Sequence, residues 1–203
     1  MCGIVGIFHN QVNKENLKIN IINMINSLNH RGPDSNGHWI DEQFGLAFGQ
    51  TRLSIRDLSS AGNQPMTSIS NRYIIIYNGE IYNLNEIKKK LESVQIILNT
   101  KNDTRVLLES CSHFGIEKTL KMIDGMFAFA LWDKKDKKLY LARDRVGIKP
   151  LYWSKLNNNF FFSSELKSFY SNLLWKQDLD IKSVNNFFRK SHFTSNQTVF
   201  KNT

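Results

Sequence analysis

The chain has few of the residues that staple or punctuate a small secreted fold. Its 203 residues include two cysteines, Cys2 and Cys111, and three prolines. Two cysteines so placed give no disulfide framework, and no cysteine and histidine cluster with metal-ligand spacing accompanies them. No apolar stretch approaches the ~20 residues of a membrane-spanning helix; the runs at 73–77 and 126–132 are strand-sized. The N-terminal apolar run is short, broken by glycine and without a basic leader, so it does not read as a secretory signal. A Walker-type phosphate loop is also missing. These absences point away from a membrane and toward the reducing cytoplasm, with a site that needs no metal.

Acidic residues are outnumbered, 18 against 27 lysines and arginines, for a net charge of +9. Such an excess can mark a nucleic-acid binder. The lysines, however, cluster at 88–90 and 134–138, the first reading as a solvated helix face and the second as a hairpin turn. Neither run is interleaved with aromatics in the manner of single-strand binders. No nucleic-acid partner is expected.

What is present begins at the second residue, in Met1-Cys2-Gly3-Ile4-Val5-Gly6-Ile7-Phe8. An initiator Met before a residue as small as Cys is readily removed. The mature chain would then carry a thiol and a free α-amine on one residue. Their ordinary pKa values, near ~8.5 and ~8, lie close enough for the amine to take the thiol proton. The alternative is a small buried hydrophobe, the usual fate of a free cysteine. The flanking apolar run reads as a buried strand that would fix Cys2 at its end.

Leu17, Ile21, Met24, Ile25 and Leu28 repeat with helical period, as do Leu84, Ile87 and Leu91, and Val106, Leu107, Cys111 and Phe114. Cys111 sits on that last stripe and is expected in the core. Strands are expected at 44–50, 73–78, 94–98, 126–132, 138–142, 151–154 and 160–163, with hairpin turns at 134–137 and 157–159. Strands and helices come in blocks, which predicts an α+β fold with largely antiparallel sheets. The three prolines fall in polar loops between periodic segments, where binding sites tend to lie.

Several segments then carry chemistry together. Besides the N-terminus they are His30-Arg31-Gly32-Pro33-Asp34, Arg52-Leu53-Ser54-Ile55, Gly62-Asn63-Gln64-Pro65-Met66, Tyr77-Asn78-Gly79-Glu80-Ile81-Tyr82-Asn83, Asp103-Thr104 and Ala142-Arg143-Asp144-Arg145-Val146-Gly147-Ile148-Lys149-Pro150-Leu151-Tyr152. In this order they closely resemble the glutaminase domain of the asparagine synthetase family. These are class II glutamine amidotransferases with an N-terminal nucleophile. The resemblance implies a four-layer αββα sandwich of antiparallel sheets, the N-terminal-nucleophile hydrolase fold, over residues 1–180.

It also implies roles. Cys2 would attack the glutamine side-chain amide and form a γ-glutamyl thioester. Asn78 and Gly79 would supply the oxyanion hole, the glycine letting the backbone approach substrate. Arg52 would hold the α-carboxylate, and Glu80 and Asp103 the α-ammonium. Leu53 and Ile55 complete the glutamine-binding set. By residue type alone, Asn78-Gly79 is also a common hairpin pair and Asp103 a possible helix cap. His30 reads as a residue that orders its loop rather than as a base. Lys101, Asn102 and Arg105 depart from the small residues and the Glu usual around Asp103.

In this family the glutaminase domain is joined to a synthetase domain that uses ATP and magnesium. No cofactor is implied for the glutaminase domain itself. Residues 181–203 read as the segment leading toward that domain, and the chain as an excised or truncated product. A homodimer is compatible with this reading. The alternatives are a catalytically silent, interaction or regulatory domain, as a retained Met1 would produce, and a full-length enzyme that amidates a sugar carboxylate instead of aspartate.

Overall fold

The computed structural model describes residues 1–9, 14–54, 59–193 and 197–203. The N-terminal apolar run forms strand β1 (Gly3–His9), followed by helix α1 (Lys14–Asn26). Strands β2 (Ser35–Asp41) and β3 (Leu46–Arg52) come next, then the short β4 (Met66–Thr67) and the long β5 (Tyr73–Ile81). Helices α2 (Leu84–Glu92), α3 (Asp103–Phe114) and α4 (Ile116–Met122) separate β5 from β6 (Gly125–Asp133). The chain continues through β7 (Lys138–Arg143), β8 (Tyr152–Leu156), β9 (Asn159–Ser163), α5 (Lys167–Tyr170) and α6 (Ile181–Lys190).

Two antiparallel sheets result, one ordered β2-β3-β1-β9-β8 and the other β4-β5-β6-β7. Strand alternation explains how they stack. In β1, Val5 and Ile7 face α1 and pack with Leu17, Ile21, Met24 and Leu28. Ile4, with opposite parity, faces the other sheet and joins Phe48, Ile74, Ile76, Trp132 and Phe162. On the far side of the second sheet, Ile75, Tyr77 and Phe129 pack against Ile87 and Leu91 of α2 and Val106 and Leu107 of α3. The layers are therefore helix, sheet, sheet, helix. Cys111 lies fully buried in that last cluster, and burial pushes its thiol up to about 12, against a weaker opposing hydrogen bond with Thr119.

One expectation needs correction, and two alternative readings by residue type are not met. Residues 94–98 are not a strand: the Val94 and Ile96 amides donate to Leu91 O, so the segment is the wrapped end of α2. Gln95 there adopts φ +67, which ends regular structure. Asn78-Gly79 is not a hairpin turn but lies inside β5, paired to Ala128 and Phe127. The cap of α3 is Asn102, whose Oδ1 accepts from the Arg105 amide at 3.1 Å, while Asp103 is the first helical residue. The hairpin at residues 134–137 forms as expected, with Lys137 at φ +54.

Candidate active site

Moving along β3 and β5, the side chains between the sheets change from apolar to polar. On β3 the inward parity runs Leu46, Phe48, Gln50, Arg52; on β5 it runs Ile74, Ile76, Asn78, Glu80. Where packing residues give way to amides and charges the sheets no longer close on each other. A cleft of about 490 Å³ opens there, and Cys2, Gln50, Arg52, Leu53, Asn78, Gly79, Glu80 and Asp103 all line it. The residues that the sequence reading singled out thus converge from distant parts of the chain, except Ile55, which lies outside the described residues.

Cys2 precedes β1 and its sulfur is held by the Leu53 backbone. The Leu53 amide donates to Sγ at 3.4 Å and the thiol points at Leu53 O, 3.7 Å away. Arg31 Nε donates to Cys2 O at 3.1 Å, and Arg31 is fixed in turn by Glu165 Oε1 at 2.8 Å. His30 Nε2 lies 2.9 Å from the same oxygen, so His30 braces the loop and stays away from the sulfur's own contacts. Burial alone would push the Glu165 carboxyl up, but the hydrogen bonds and charges of Arg31 and His30 hold it below the usual range.

Arg52 is buried, and its Nη1 donates to Ser59 O and Asn63 Oδ1, both at 2.9 Å. Gly62 makes room for it, because a Cβ there would meet Arg52 Nη2 at 2.0 Å. Asp103 is anchored by the Tyr77 hydroxyl, which donates to Oδ2 at 3.1 Å, and by the Thr104 amide on Oδ1 at 2.9 Å. Gln64 ties this corner together: its Oε1 accepts from the Tyr77 amide at 2.6 Å and its Nε2 donates to Thr104 Oγ1 at 3.1 Å. Arg105 turns away, to Thr67 O and Glu109.

Asn78 is 2% exposed, and its Nδ2 has no hydrogen-bond partner. Leaving a buried donor unpaired costs about 1–3 kcal/mol, so such a group at a cleft wall marks a place for an acceptor. The neighbouring glycine is also constrained by packing. A Cβ on Gly79 would strike Met126 O at 2.5 Å and Phe127 Cα at 2.8 Å, so cross-strand packing on β6 requires a small residue here.

Sequence reasoning missed Gln50, Gln64 and Lys149 as cleft residues. Gln50 was detectable as a polar residue at inward parity in an otherwise apolar strand. Lys149 was quoted within a motif but had no periodic signal, because it sits in a loop.

Solved structures with the same layered arrangement include the glutamine phosphoribosylpyrophosphate amidotransferase of B. subtilis in complex with ADP and GMP. It superposes with a TM-score of 0.69 at 20% identity, covering 84% of this chain and 43% of that one. The fold is thus that of the N-terminal-nucleophile amidotransferases. The glutamine amidotransferase domain family matches residues 1–203, and the chain belongs to that family. Among curated relatives, "Asparagine synthetase [glutamine-hydrolyzing] 1" of Bacillus subtilis is 44% identical over 83% of this chain and 26% of its own length. "Putative asparagine synthetase [glutamine-hydrolyzing] 2" of Methanocaldococcus jannaschii is 36% identical over the whole chain and 42% of its own length. The chain therefore spans less than half the length of these relatives.

Proposed function

We propose that this domain hydrolyses glutamine and supplies ammonia, as the glutaminase half of an asparagine-synthetase-like amidotransferase. The observation that carries the reading is the unpaired Asn78 amide in the cleft that holds the Cys2 sulfur. An oxyanion-hole donor must wait, desolvated and unpaired, for the charge that develops during attack.

After Met1 is removed, the Cys2 amine takes the thiol proton and the sulfur attacks the side-chain carbonyl carbon of glutamine. A C–S bond forms and the oxyanion is met by Asn78 Nδ2 and the Gly79 N–H. The protonated amine then gives its proton to the leaving nitrogen, the C–N bond breaks, and ammonia departs. Water, deprotonated by the same amine, opens the thioester to glutamate and restores the thiol. Arg52 holds the α-carboxylate and Glu80 and Asp103 the α-ammonium, with the Leu53 backbone steadying the sulfur. ATP and magnesium belong to a further synthetase domain, which receives the ammonia, and residues 181–203 lead toward it. The acceptor there is a carboxylate, aspartate or a sugar acid.

Met1 itself lines the cleft, which favours a second, silent state for any chain that keeps it. Retention turns the amine into an amide, which cannot accept a proton, and fills the nucleophile's approach. The test compares mass-verified chains with and without Met1 for glutamine hydrolysis across pH. The processed chain should be faster by at least the ~10²–10⁴ that a general base contributes. Equal rates would remove the amine from the mechanism.

A further inference from the structure

Lys149 is a buried cation that the reaction above does not use. It is 5% exposed and lines the cleft with Cys2. Its backbone is locked in place, with its amide donating to Asp144 Oδ2 at 2.9 Å and its carbonyl accepting from Arg143 Nε at 2.6 Å. The Ile148 and Phe127 amides bind the same Asp144 carboxylate, so the loop presents the lysine from a rigid base. Its Nζ, among the described residues, has one hydrogen-bond partner, the Met1 thioether at 3.3 Å, and no carboxylate within ion-pair distance. A thioether is a weak acceptor for an ammonium. A buried cation so poorly matched calls for an anion.

Resting on the glutaminase reading, we propose that the Lys149 ammonium is the electrostatic partner of the Cys2 sulfur, favouring the thiolate and steadying it as it attacks. Removal of Met1 takes away the one contact on Nζ and leaves the charge facing the cleft. The charged groups that act on Lys149 are Cys2, Glu80 and Asp144, which favour its protonated form, and Arg31, which opposes it. Burial, the largest influence, together with Arg31 draws Lys149 below the ordinary lysine range. Glu80 and Asp144 are already engaged, the first assigned to the substrate ammonium and the second to backbone amides. That leaves the sulfur, the anion formed when the Cys2 amine takes its proton, with that amine as the one other cation assigned to it.

The test reads Cys2 directly and needs no glutamine. Processed wild-type protein, Lys149→Met and Lys149→Arg are alkylated with iodoacetamide from pH 5 to 10, and carboxamidomethylation of Cys2 is followed by peptide mass spectrometry. Lys149→Met should move the Cys2 midpoint up by about one unit, the shift expected on losing a nearby opposite charge. Near neutral pH that is about a tenfold slower alkylation, and Lys149→Arg should restore most of it. An unmoved midpoint in folded Lys149→Met overturns the proposal, as does an equal shift in both variants, which would mark a packing effect. If the variants do not fold, the reciprocal effect is read in wild type by NMR of the Lys149 ε-methylene. Its titration midpoint should fall once Cys2 is alkylated, and no change overturns the proposal. Labelling of Cys2 by a glutamine-like electrophile with no Lys149 effect would leave the glutaminase reading standing and remove this one. The reverse pattern would do the opposite.

Discussion

The two ends of the layer between the sheets are built on the same strands and behave in opposite ways. At the closed end Leu46 and Phe48 of β3 meet Ile74 and Ile76 of β5, with Trp132 and Phe162 filling the gap. Phe48 and Phe162 pack edge to face, 5.8 Å apart. At the open end Gln50, Arg52, Asn78 and Glu80 occupy the next inward positions, and the cleft begins. Two residues further along each strand convert a core into a site. Both ends also hold unpaired donors, Trp132 Nε1 at the closed end and Gln50 Nε2 and Asn78 Nδ2 at the open end. Of these, the residues at the open end line the cleft that holds the nucleophile. An orphan donor acquires meaning from what can approach it.

The comparison can be broken from either side. Phe48→Ala empties the closed end and should cost about 3–5 kcal/mol of stability, measured by denaturant unfolding. Its effect on glutamine turnover in the folded fraction should be small; a large one would mean the two ends are not separable. Asn78→Ala should do the converse, lowering kcat by about 10²–10³, or roughly 3–4 kcal/mol of barrier, with little change in unfolding midpoint. An unchanged kcat would remove Asn78 from the oxyanion hole. The smallest effect concerns pH at the brace behind Cys2. Because Glu165 is held below its ordinary 4.5, its share of stability is complete above that value and is lost as pH falls through the lower folded value. Hydrogen exchange in the loop around His30 and Arg31 should therefore speed up below about pH 4.5. Glu165→Gln should flatten that acid response, and a wild-type loop indifferent to acid would show that the brace is not ionic.

How much was legible follows from the same physics. Strands with a strong apolar run, such as β1, β5 and β6, were read within a residue or a few of their ends. Strand β2 was missed because its sequence, Ser-Asn-Gly-His-Trp-Ile-Asp, is polar and it lies at a sheet edge, half exposed on both faces. Residues 94–98 misled in the opposite direction: their valine and isoleucines are β-branched, yet Ile97 is 79% exposed and the backbone serves to stop a helix. Helix α6 escaped notice although Asp180 caps it, its Oδ1 accepting from the Lys182 amide. Beyond α6 the chain returns to the body, where Phe200 packs edge-on against Trp175 at 5.2 Å. For the site, motif residues were found because the resemblance carried them. Gln50 and Lys149 needed three dimensions, since parity and loop rigidity decide which polar side chains reach the cleft. Asn102 and Arg105, which depart from the family's usual residues, proved to serve α3: one caps it and the other pairs with Glu109 one turn on.

The place of β1 in its sheet has a consequence for synthesis. Strand β1 lies between β3 and β9, and its second edge stays open until Asn159–Ser163 has been made. At roughly 5–20 residues per second, about 8–30 s separate the two. Throughout that interval Cys2 lacks Glu165, which fixes Arg31 against it, so its surroundings are not yet those of the finished cleft. Any trimming of Met1 within that interval would take place before the cleft closes over Cys2.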